Sequence, residues 1–308
     1  MCNDRQNSKG LFDAAVIRSG AVGMRNWRVA LELEGEAAAA FAGARPGQFL
    51  EIDASGLSLP RRDLIPPELR DAAQRHVILR RPLSFWDVYE MDNGNTCVEL
   101  LFCLVGPSTL RLATLRKGDI VNICGPLGNG FSMPEGKTHA VVVGGGIGIP
   151  PIYHFTSWLG KNRDDVRVTA IVGARRLKDF PLESMQHKKK TAIEFALAGA
   201  ETLVATNDGS RGFKGFVTGC LEEWLSKTEV KKEDICVFGC GPEPMLAALA
   251  KTCRVNGLDC YVSLERLMGC GVGLCQSCAV EKRDKSDGHK YLLCCKDGPV
   301  FNSEDIVI

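Results

Sequence analysis

The sequence has almost no net charge, no long hydrophobic run and no apolar leader. Lys and Arg number 38 against 37 Asp and Glu, giving a formal net charge of +1, so we expect no binding to nucleic acid or to an anionic membrane surface. The longest apolar stretch, residues 139–153, contains four glycines and two prolines and is too short and too interrupted to cross a bilayer. Residues 1–10 are polar, so we expect no signal peptide and a cytoplasmic protein.

Cysteine, in contrast, is abundant. There are 14 cysteines, and without a secretion signal they are not expected to form a disulfide framework, because the cytosol keeps thiols reduced. Ten of them lie between Cys220 and Cys295. This clustering indicates a metal centre or cluster rather than scattered core thiols.

Three regions of the 308-residue chain differ in their pattern. Residues 1–135 contain six short apolar or alternating runs separated by turn residues, which predicts an antiparallel β-barrel or sandwich. In residues 136–257 β-branched runs alternate with helical stretches, which predicts an α/β domain around a parallel sheet. Residues 258–308 are cysteine-rich and poor in apolar side chains, so we expect a small domain stabilised by a metal centre. The predicted strands are 12–18, 27–33, 49–52, 83–89, 98–105, 120–124, 140–143, 168–172, 202–205 and 235–238, and the predicted helices are 152–161, 215–226 and 244–255.

One segment, residues 53–79, interrupts the β-rich region with three prolines and a short predicted helix at 68–76. Loops of this kind are usually surface insertions. The alternative is a lid or an element that docks a partner.

The strongest motif is formed by Cys270, Cys275 and Cys278, which have the spacing C-x4-C-x2-C and are followed by Cys294 and Cys295. This is the plant-type arrangement for a [2Fe–2S] cluster, in which one loop supplies three thiolates and a distant cysteine the fourth. Structural zinc is the alternative, but zinc sites usually use paired C-x2-C spacings. The spacing therefore favours an iron–sulfur cluster.

Three other motifs are weaker taken singly. At the start of a predicted strand, the sequence R-P-L-S at 81–84 could hold a pyrophosphate and a flavin edge, or could be an exposed strand end with a solvated arginine. The run G-G-G-I-G at 144–148 leads from a strand into a helix, as in dinucleotide-phosphate sites, but Ile149 stands where the G-x-G-x-x-G pattern requires glycine. The sequence G-C-G-P at 239–242 follows a predicted strand, where open α/β sheets bind ligands. For the last two, a tight turn into a helix is the alternative.

In this order, the barrel, R-P-L-S, G-G-G-I-G and C-G-P resemble the ferredoxin–NADP reductase superfamily. With G-P-L-G-N-G-F at 125–131, the carboxyl-terminal cysteines and C-K-D-G-P-V-F at 295–301, nearly the whole chain looks like the electron-transfer subunit of two-subunit dihydroorotate dehydrogenases. The resemblance implies a multi-domain chain with an FAD-binding antiparallel β-barrel (1–135), an NAD-binding α/β domain (136–257) and a small [2Fe–2S] domain (258–308).

The resemblance also implies roles for individual residues. Cys240 would lie beside the nicotinamide, and we interpret it as a positioning group rather than a nucleophile, because no base is evident next to it. Cys295 is preferred to Cys294 as the fourth cluster ligand because the family's cysteine stands one residue before the D-G-P-V-F run. The predicted FAD residues are Arg81, Pro82, Leu83, Ser84, Leu101, Phe102, Cys103, Ser108 and Thr109. The predicted NAD residues are Gly144, Gly145, Gly146, Ile147, Gly148, Asn207, Asp208, Gly239, Gly241 and Pro242, and the predicted cluster ligands are Cys270, Cys275, Cys278 and Cys295.

The implied function is electron transfer between NADH, FAD and the cluster, to or from an FMN-containing catalytic subunit that oxidises dihydroorotate in pyrimidine biosynthesis, within a heterotetramer. NADH is preferred to NADPH because a carboxylate at Asp208 would repel a 2′-phosphate, whereas Arg175, Arg176 and Arg211 would favour one. Two alternatives stay open. One is the same reductase serving a sulfide-, hydrogen- or ferredoxin-linked enzyme, and the other is a zinc-stapled binding protein without redox activity.

Overall fold

The computed structural model describes residues 9–186 and 192–308. Most of the first ten residues, on which the expected lack of a signal peptide rests, lie outside this part of the chain. None of the helices in the described residues is long and apolar enough to cross a membrane.

The first part of the chain is a closed barrel of six antiparallel strands, in the order β1-β2-β5-β4-β3-β6. Alternate residues of each strand point inward and form one buried cluster, in which the ring of Phe41 lies 5.9 Å from that of Phe85. The predicted barrel is confirmed, and the Ala-rich run at 37–40 lies in a short helix. The elements are β1 (Gly10–Val22), β2 (Asn26–Leu33), α1 (Gly35–Ala42), β3 (Phe49–Ile52), α2 (Arg70–Ala73), β4 (Arg81–Glu90), β5 (Thr96–Cys103), α3 (Pro107–Leu112) and β6 (Ile120–Leu127).

The second part is a seven-stranded sheet in the order β10-β9-β8-β7-β11-β12-β15, in which all neighbours are parallel except β12 and β15. The predicted α/β domain is therefore confirmed. The chain first builds outward from β7 to β8, β9 and β10, and then returns to the other side of β7 with β11. The elements are β7 (His139–Gly145), α4 (Ile149–Asn162), β8 (Arg167–Ala174), α5 (Glu183–Gln186), α6 (Ile193–Leu197), β9 (Glu201–Thr206), β10 (Phe213–Lys214), α7 (Val217–Lys227), β11 (Ile235–Cys240), α8 (Glu243–Asn256), β12 (Asp259–Ser263), β13 (Ala279–Glu281), β14 (Tyr291–Leu293) and β15 (Val300–Asn302).

Helices cover both faces of this sheet, because its strands are apolar on both sides. Ala140 and Val142 face α4 and α6, in a core that also contains Trp86 of the barrel. Val141 and Val143 face α7 and α8, in a core that also contains buried cysteines of the last part of the chain. The barrel, the sheet and the carboxyl-terminal segment thus share two continuous hydrophobic cores.

The carboxyl-terminal segment is built around the edge of the same sheet. β12 pairs in parallel with β11, and β15 pairs antiparallel with β12. Between them lie the loop of residues 270–278, called the cysteine loop, and a two-stranded hairpin of β13 and β14. The division of the chain at residue 257 remains a prediction, and two strands on its carboxyl-terminal side belong to the sheet of the preceding region.

The insertion at residues 53–79 packs on α3 through a small apolar cluster of Ile65, Ala73 and Leu110. The guanidinium of Arg111 donates to the carbonyl of Ala73 (3.3 Å). The helix predicted at 68–76 is shorter than expected, with a 3₁₀ turn at Pro67–Leu69 followed by α2. The insertion therefore supports the segment that carries Ser108 and Thr109.

Candidate functional site

The two glycine-containing turns of the α/β domain meet at the carboxyl ends of β7 and β11. These strands are neighbours, with Gly144 opposite Cys240, and the direction in which the sheet is built reverses between them. Open α/β sheets bind ligands at such a switch point. A methyl group at Gly148 would lie 2.4 Å from backbone atoms of Cys240 and Gly241, so the two turns touch through a position that only glycine can occupy.

The Cys240 thiol is enclosed in this contact. The residue is 3% exposed, and burial, reinforced by Glu265, raises the pKa of the thiol far above its usual range. The Ser263 side chain hydrogen-bonds to it and acts in the opposite direction. A thiol in this environment stays protonated at neutral pH, which suits a positioning group and not a nucleophile.

The turn after β9 carries Asn207 and Asp208 on the same edge of the sheet. The Asp208 carboxylate accepts hydrogen bonds from the hydroxyl (2.6 Å) and the backbone N–H (2.9 Å) of Ser210, and the hydroxyl bond is the main reason its pKa is lowered. The nearby guanidinium of Arg176 is paired with Asp179 at 3.2 Å. The carboxylate is thus held ionised, while this arginine is engaged elsewhere.

The R-P-L-S segment opens β4, with Arg81 opposite Ile52 and Ser84 opposite Phe49 of β3. Leu83 packs partly into the barrel core. In the neighbouring strand β5, Leu101 packs towards the α/β domain while Phe102 points into the barrel core. Phe102 can therefore offer only its backbone to a cofactor.

The two predicted FAD residues at the start of α3, Ser108 and Thr109, differ in their hydrogen bonding. The Thr109 hydroxyl accepts hydrogen bonds from the N–H groups of Val105 (3.0 Å) and Gly106 (3.2 Å). Ser108 is 3% exposed, and its buried hydroxyl has no hydrogen-bond partner within the described chain. A buried hydroxyl without a partner is costly, so Ser108 fits a site that a polar group of a cofactor completes.

Four thiols of the carboxyl-terminal segment come together as two pairs. The Cys278 and Cys295 sulfurs lie 3.3 Å apart. The Cys275 N–H donates to the Cys270 sulfur (3.3 Å), and Cys270 and Cys295 are close enough to interact electrostatically. Across the described residues, no three His, Cys, Asp or Glu side chains converge on a single-ion site. Four thiols arranged as two pairs fit the four thiolates that a [2Fe–2S] cluster requires.

The adjacent cysteine has a different environment. Cys294 is fully buried in the core beneath the sheet, and its thiol faces the carbonyl of Leu264 (3.5 Å). Cys275, in contrast, is exposed, and its hydrogen bond with the Ser277 hydroxyl is the main reason that the pKa of its thiol is lowered, to about 6. The sulfur of Cys295 lies 3.3 Å from that of Cys278, whereas Cys294 meets Cys278 through the backbone, with its N–H donating to the Cys278 carbonyl (3.0 Å).

The cysteine loop lies directly on the barrel. A methyl group at Gly271, whose φ is +66°, would lie 2.6 Å from the carboxyl carbon of Glu51. Glu51 is 2% exposed, its Oε1 has no hydrogen-bond partner in the described residues, and burial raises its pKa. It stands opposite Pro82 of the R-P-L-S segment. One strand, β3, therefore separates that segment from the cysteine loop.

The G-P-L-G-N-G-F and C-K-D-G-P-V-F motifs contact each other. The Asn129 amide nitrogen donates to the carbonyl of Asp297 (2.6 Å), and its Oδ1 accepts from the Val300 N–H (3.3 Å). The Asn129 N–H also donates to the carbonyl of Gly298 (2.6 Å). The barrel thus holds in place the loop that carries Cys295.

Sequence reasoning gave no role to Glu51, Asn129 or Ser277. The sequence holds a signal for Glu51, which is a charged residue inside the apolar run at 49–52. Asn129 lies within the G-P-L-G-N-G-F motif, whose pattern does not single it out. Ser277 has no distinguishing pattern, because a hydroxyl between two cysteines is unremarkable without its geometry.

A six-stranded barrel joined to a parallel sheet whose strand order reverses beside β7 is the arrangement of ferredoxin-reductase-like oxidoreductases, here with a cysteine cluster at the carboxyl end. Solved structures share this fold. One, of an NADH-dependent reduced ferredoxin–NADP oxidoreductase, has a TM-score of 0.70 at 23% identity and covers 96% of this chain and 89% of that one. The ferredoxin reductase of carbazole 1,9a-dioxygenase has a TM-score of 0.59 at 18% identity, over 81% of this chain and 67% of that one.

Residues 265–307 match the model of the iron–sulfur cluster binding domain of dihydroorotate dehydrogenase B, and residues 142–251 match that of the oxidoreductase NAD-binding domain. Relatives named dihydroorotate dehydrogenase B (NAD(+)), electron transfer subunit, include one from Fusobacterium nucleatum, 35% identical over 85% of this chain and 87% of its own length. Another, from Bacillus cereus, is 38% identical over 75% of this chain and 81% of its own. The chain belongs to this family of electron-transfer subunits.

Proposed function

We propose that the chain carries electrons between NADH, FAD and a [2Fe–2S] cluster, to or from an FMN-containing catalytic subunit that interconverts dihydroorotate and orotate. The net reaction is dihydroorotate plus NAD⁺ giving orotate plus NADH and a proton, and this chain performs the NAD half. The proposed assembly is a cytoplasmic heterotetramer. Membership of the electron-transfer subunit family supports the existence of a catalytic partner.

The observation that carries the proposal is the short path between the three candidate sites. The proposed nucleotide site lies at the end of β7, and α4, which follows it, packs on β4 through the stacked rings of Tyr153 and Trp86 (4.0 Å). β4 begins with R-P-L-S and pairs with β3, and Glu51 of β3 touches the cysteine loop at Gly271. This order matches a route from nucleotide to flavin to cluster.

The residues of the chain have distinct tasks in this route. When bound, FAD exchanges a hydride with the nicotinamide and single electrons with the cluster, which carries one at a time. Arg81 would pair with the FAD pyrophosphate, and the Ser108 hydroxyl would donate a hydrogen bond to the same cofactor. The glycine turn at 144–148 would present backbone N–H groups to the nucleotide phosphates. The protonated Cys240 thiol would pack against the nicotinamide and fix its position.

The surface around Cys275 suits the docking of the catalytic subunit. Leu267 and Leu274 are 89% and 83% exposed, and Val272 is 45% exposed. Exposed apolar side chains grouped in this way mark interaction surfaces. Electrons leaving the cluster at its exposed ligand would therefore cross directly into the partner.

NADH is the proposed nucleotide. The ionised Asp208 lies after β9, where the adenine ribose would lie, and it disfavours a 2′-phosphate by charge repulsion. The ion pair between Arg176 and Asp179 leaves that guanidinium less available to a phosphate.

The test begins with the visible spectrum of the anaerobically purified chain before and after addition of NADH. We expect flavin and cluster bands that bleach together. The chain is then mixed with the catalytic subunit of a dihydroorotate dehydrogenase B, and dihydroorotate-dependent formation of NADH is measured. A bleached spectrum without that activity favours a sulfide-, hydrogen- or ferredoxin-linked acceptor. A colourless protein that contains zinc and no acid-labile sulfide contradicts the redox function altogether.

A further inference from the structure

All four clustered thiols receive hydrogen bonds from backbone N–H groups. The Cys275 N–H donates to the Cys270 sulfur (3.3 Å), and the Cys295 N–H donates to the Cys278 sulfur (3.4 Å). The Gly273 N–H donates to the Cys295 sulfur. Because these donors belong to the main chain, their presence does not depend on which side chains the loop carries.

The Cys275 thiol accepts a hydrogen bond from the Ser277 N–H and is, in addition, paired with the Ser277 side chain. The Ser277 oxygen lies 3.2 Å from the Cys275 sulfur and 3.1 Å from the Gly269 N–H. Since the Gly269 N–H donates to the Ser277 oxygen, the hydroxyl proton is free to point at the sulfur. A cysteine bound to iron is a thiolate without a proton, so in that state only Ser277 can be the donor.

The Gly269 position shows how closely this hydroxyl is held. A methyl group there would lie 3.1 Å from the Cys275 sulfur and 3.4 Å from the Ser277 oxygen. Gly269, Cys275 and Ser277 therefore pack at van der Waals contact, and the hydroxyl is oriented by the main chain rather than by solvent. A water molecule that replaced it would lack this orientation.

The energetic consequence has a definite sign. Adding an electron to the cluster increases the negative charge on its ligand sulfurs, and a hydrogen bond to a sulfur stabilises that charge. Hydrogen bonds to the sulfurs are among the factors that set the potential of iron–sulfur clusters. The bond from Ser277 should therefore raise the reduction potential of the cluster, at the ligand that is most exposed to a partner.

We propose that Ser277 is a positioning residue that sets the reduction potential of the cluster through its hydrogen bond to the Cys275 ligand. This inference rests on the proposed function, in which the four cysteines hold a [2Fe–2S] cluster. It goes further by assigning a role to a side chain that is not a ligand.

The test is a redox titration of the holoprotein, followed by electron paramagnetic resonance of the reduced cluster. For Ser277→Ala we expect unchanged iron and sulfide content and a lower cluster potential. The ratio of reduced to oxidised cluster at a fixed potential should fall roughly five- to tenfold, as for the loss of one hydrogen bond, and tenfold corresponds to about 59 mV for one electron. The flavin potential should stay the same.

Matched variants separate the hydrogen bond from packing. Ser277→Thr and Ser277→Val have the same shape, and only threonine keeps the hydroxyl, so we expect the wild-type potential for threonine and the lowered one for valine. This pair provides the test even if Ser277→Ala fails to retain the cluster. Ser286→Ala, in a distant exposed loop, is the control for loss of a serine.

The outcomes distinguish this inference from the function on which it rests. A wild-type protein with a cluster, together with equal potentials for the threonine and valine variants, overturns the role of Ser277 and leaves the proposed function intact. A wild-type protein that shows no iron–sulfur signal after reduction overturns both.

Discussion

Replacing Gly148 by alanine should separate the two glycine-containing turns of the proposed nucleotide site. The added methyl group would lie 2.4 Å from the carbonyl carbon and oxygen of Cys240 and from the nitrogen of Gly241. Carbon atoms in contact are normally ~3.5–4.0 Å apart. All three atoms belong to the backbone, so no side chain can rotate away, and the turns must move apart by about 1 Å.

The displacement should be visible in the reaction with NADH. A misplacement of about 1 Å in a reacting pair lowers the rate by on the order of 100-fold, and the overpacking itself should lower the free energy of unfolding by about 1–3 kcal/mol. We therefore expect Gly148→Ala to bind FAD and the cluster normally, to be reduced normally by dithionite, and to be reduced by NADH about two orders of magnitude more slowly.

Anaerobic stopped-flow mixing with NADH, monitored at the flavin absorbance, measures this rate and its dependence on NADH concentration. Gly20→Ala is the matched control, because a methyl group at Gly20 meets no atom within 4 Å, and it should behave as the wild type. If Gly148→Ala with full flavin content reacts with NADH at the wild-type rate and affinity, the contact between the two turns does not form the nicotinamide site.

The other predictions concern the cluster, its loop and a buried histidine. Cys275→Ser should lose the cluster yet keep NADH reduction of the flavin, whereas Cys294→Ala should keep both; normal electron transfer to the partner by Cys275→Ser, measured as dihydroorotate-dependent NADH formation, would show that Cys275 is not a ligand. Asn129→Ala removes two side-chain hydrogen bonds to the loop that carries Cys295 and should destabilise the protein by about 1–3 kcal/mol and speed cluster loss in chelator; unchanged loss kinetics would contradict this role of Asn129. His154 is 3% exposed, its Nδ1 has no hydrogen-bond partner in the described chain, and burial lowers its pKa to about 3. Because the unfolded chain binds this proton below about pH 6.5 and the folded chain does not, stability should fall as the pH drops below that value, by about 2 kcal/mol at about pH 5. Urea unfolding at about pH 6.5 and about pH 5 measures the free energy of unfolding. The difference between the two pH values should be smaller for His154→Phe than for the wild type. An equal difference would mean that His154 is not the group responsible.

The short-range patterns of the chain predicted most of its elements. The strand at 49–52 has the predicted bounds, and every other predicted strand overlaps an observed one. Barrel strands and buried parallel strands have local signatures in alternation and in β-branched runs, and these signatures do not depend on the partner strand. The short strands β10 and β15 carry too few residues for any such signature.

The contacts between regions were not predictable in the same way. β12 lies in the cysteine-rich tail by composition, yet it extends the sheet beside β11. The hydrogen bonds of Asn129 to the loop after Cys295, and the contact of Glu51 with Gly271, join segments that are far apart in the sequence. Such contacts depend on how whole regions pack, and a pattern within a few residues carries no information about them.

The cysteine loop lies between strands β12 and β15, which both pair within the large sheet, and it contacts the barrel at Glu51. The proposed cluster is consequently held in place by the fold and does not move between donor and acceptor on a flexible linker. The contact of Gly271 with Glu51 sets the loop beside β3, the strand that pairs with the R-P-L-S segment. Proteolysis between the regions could not release the cysteine-rich segment intact, because strands β12 and β15 would have to leave the sheet.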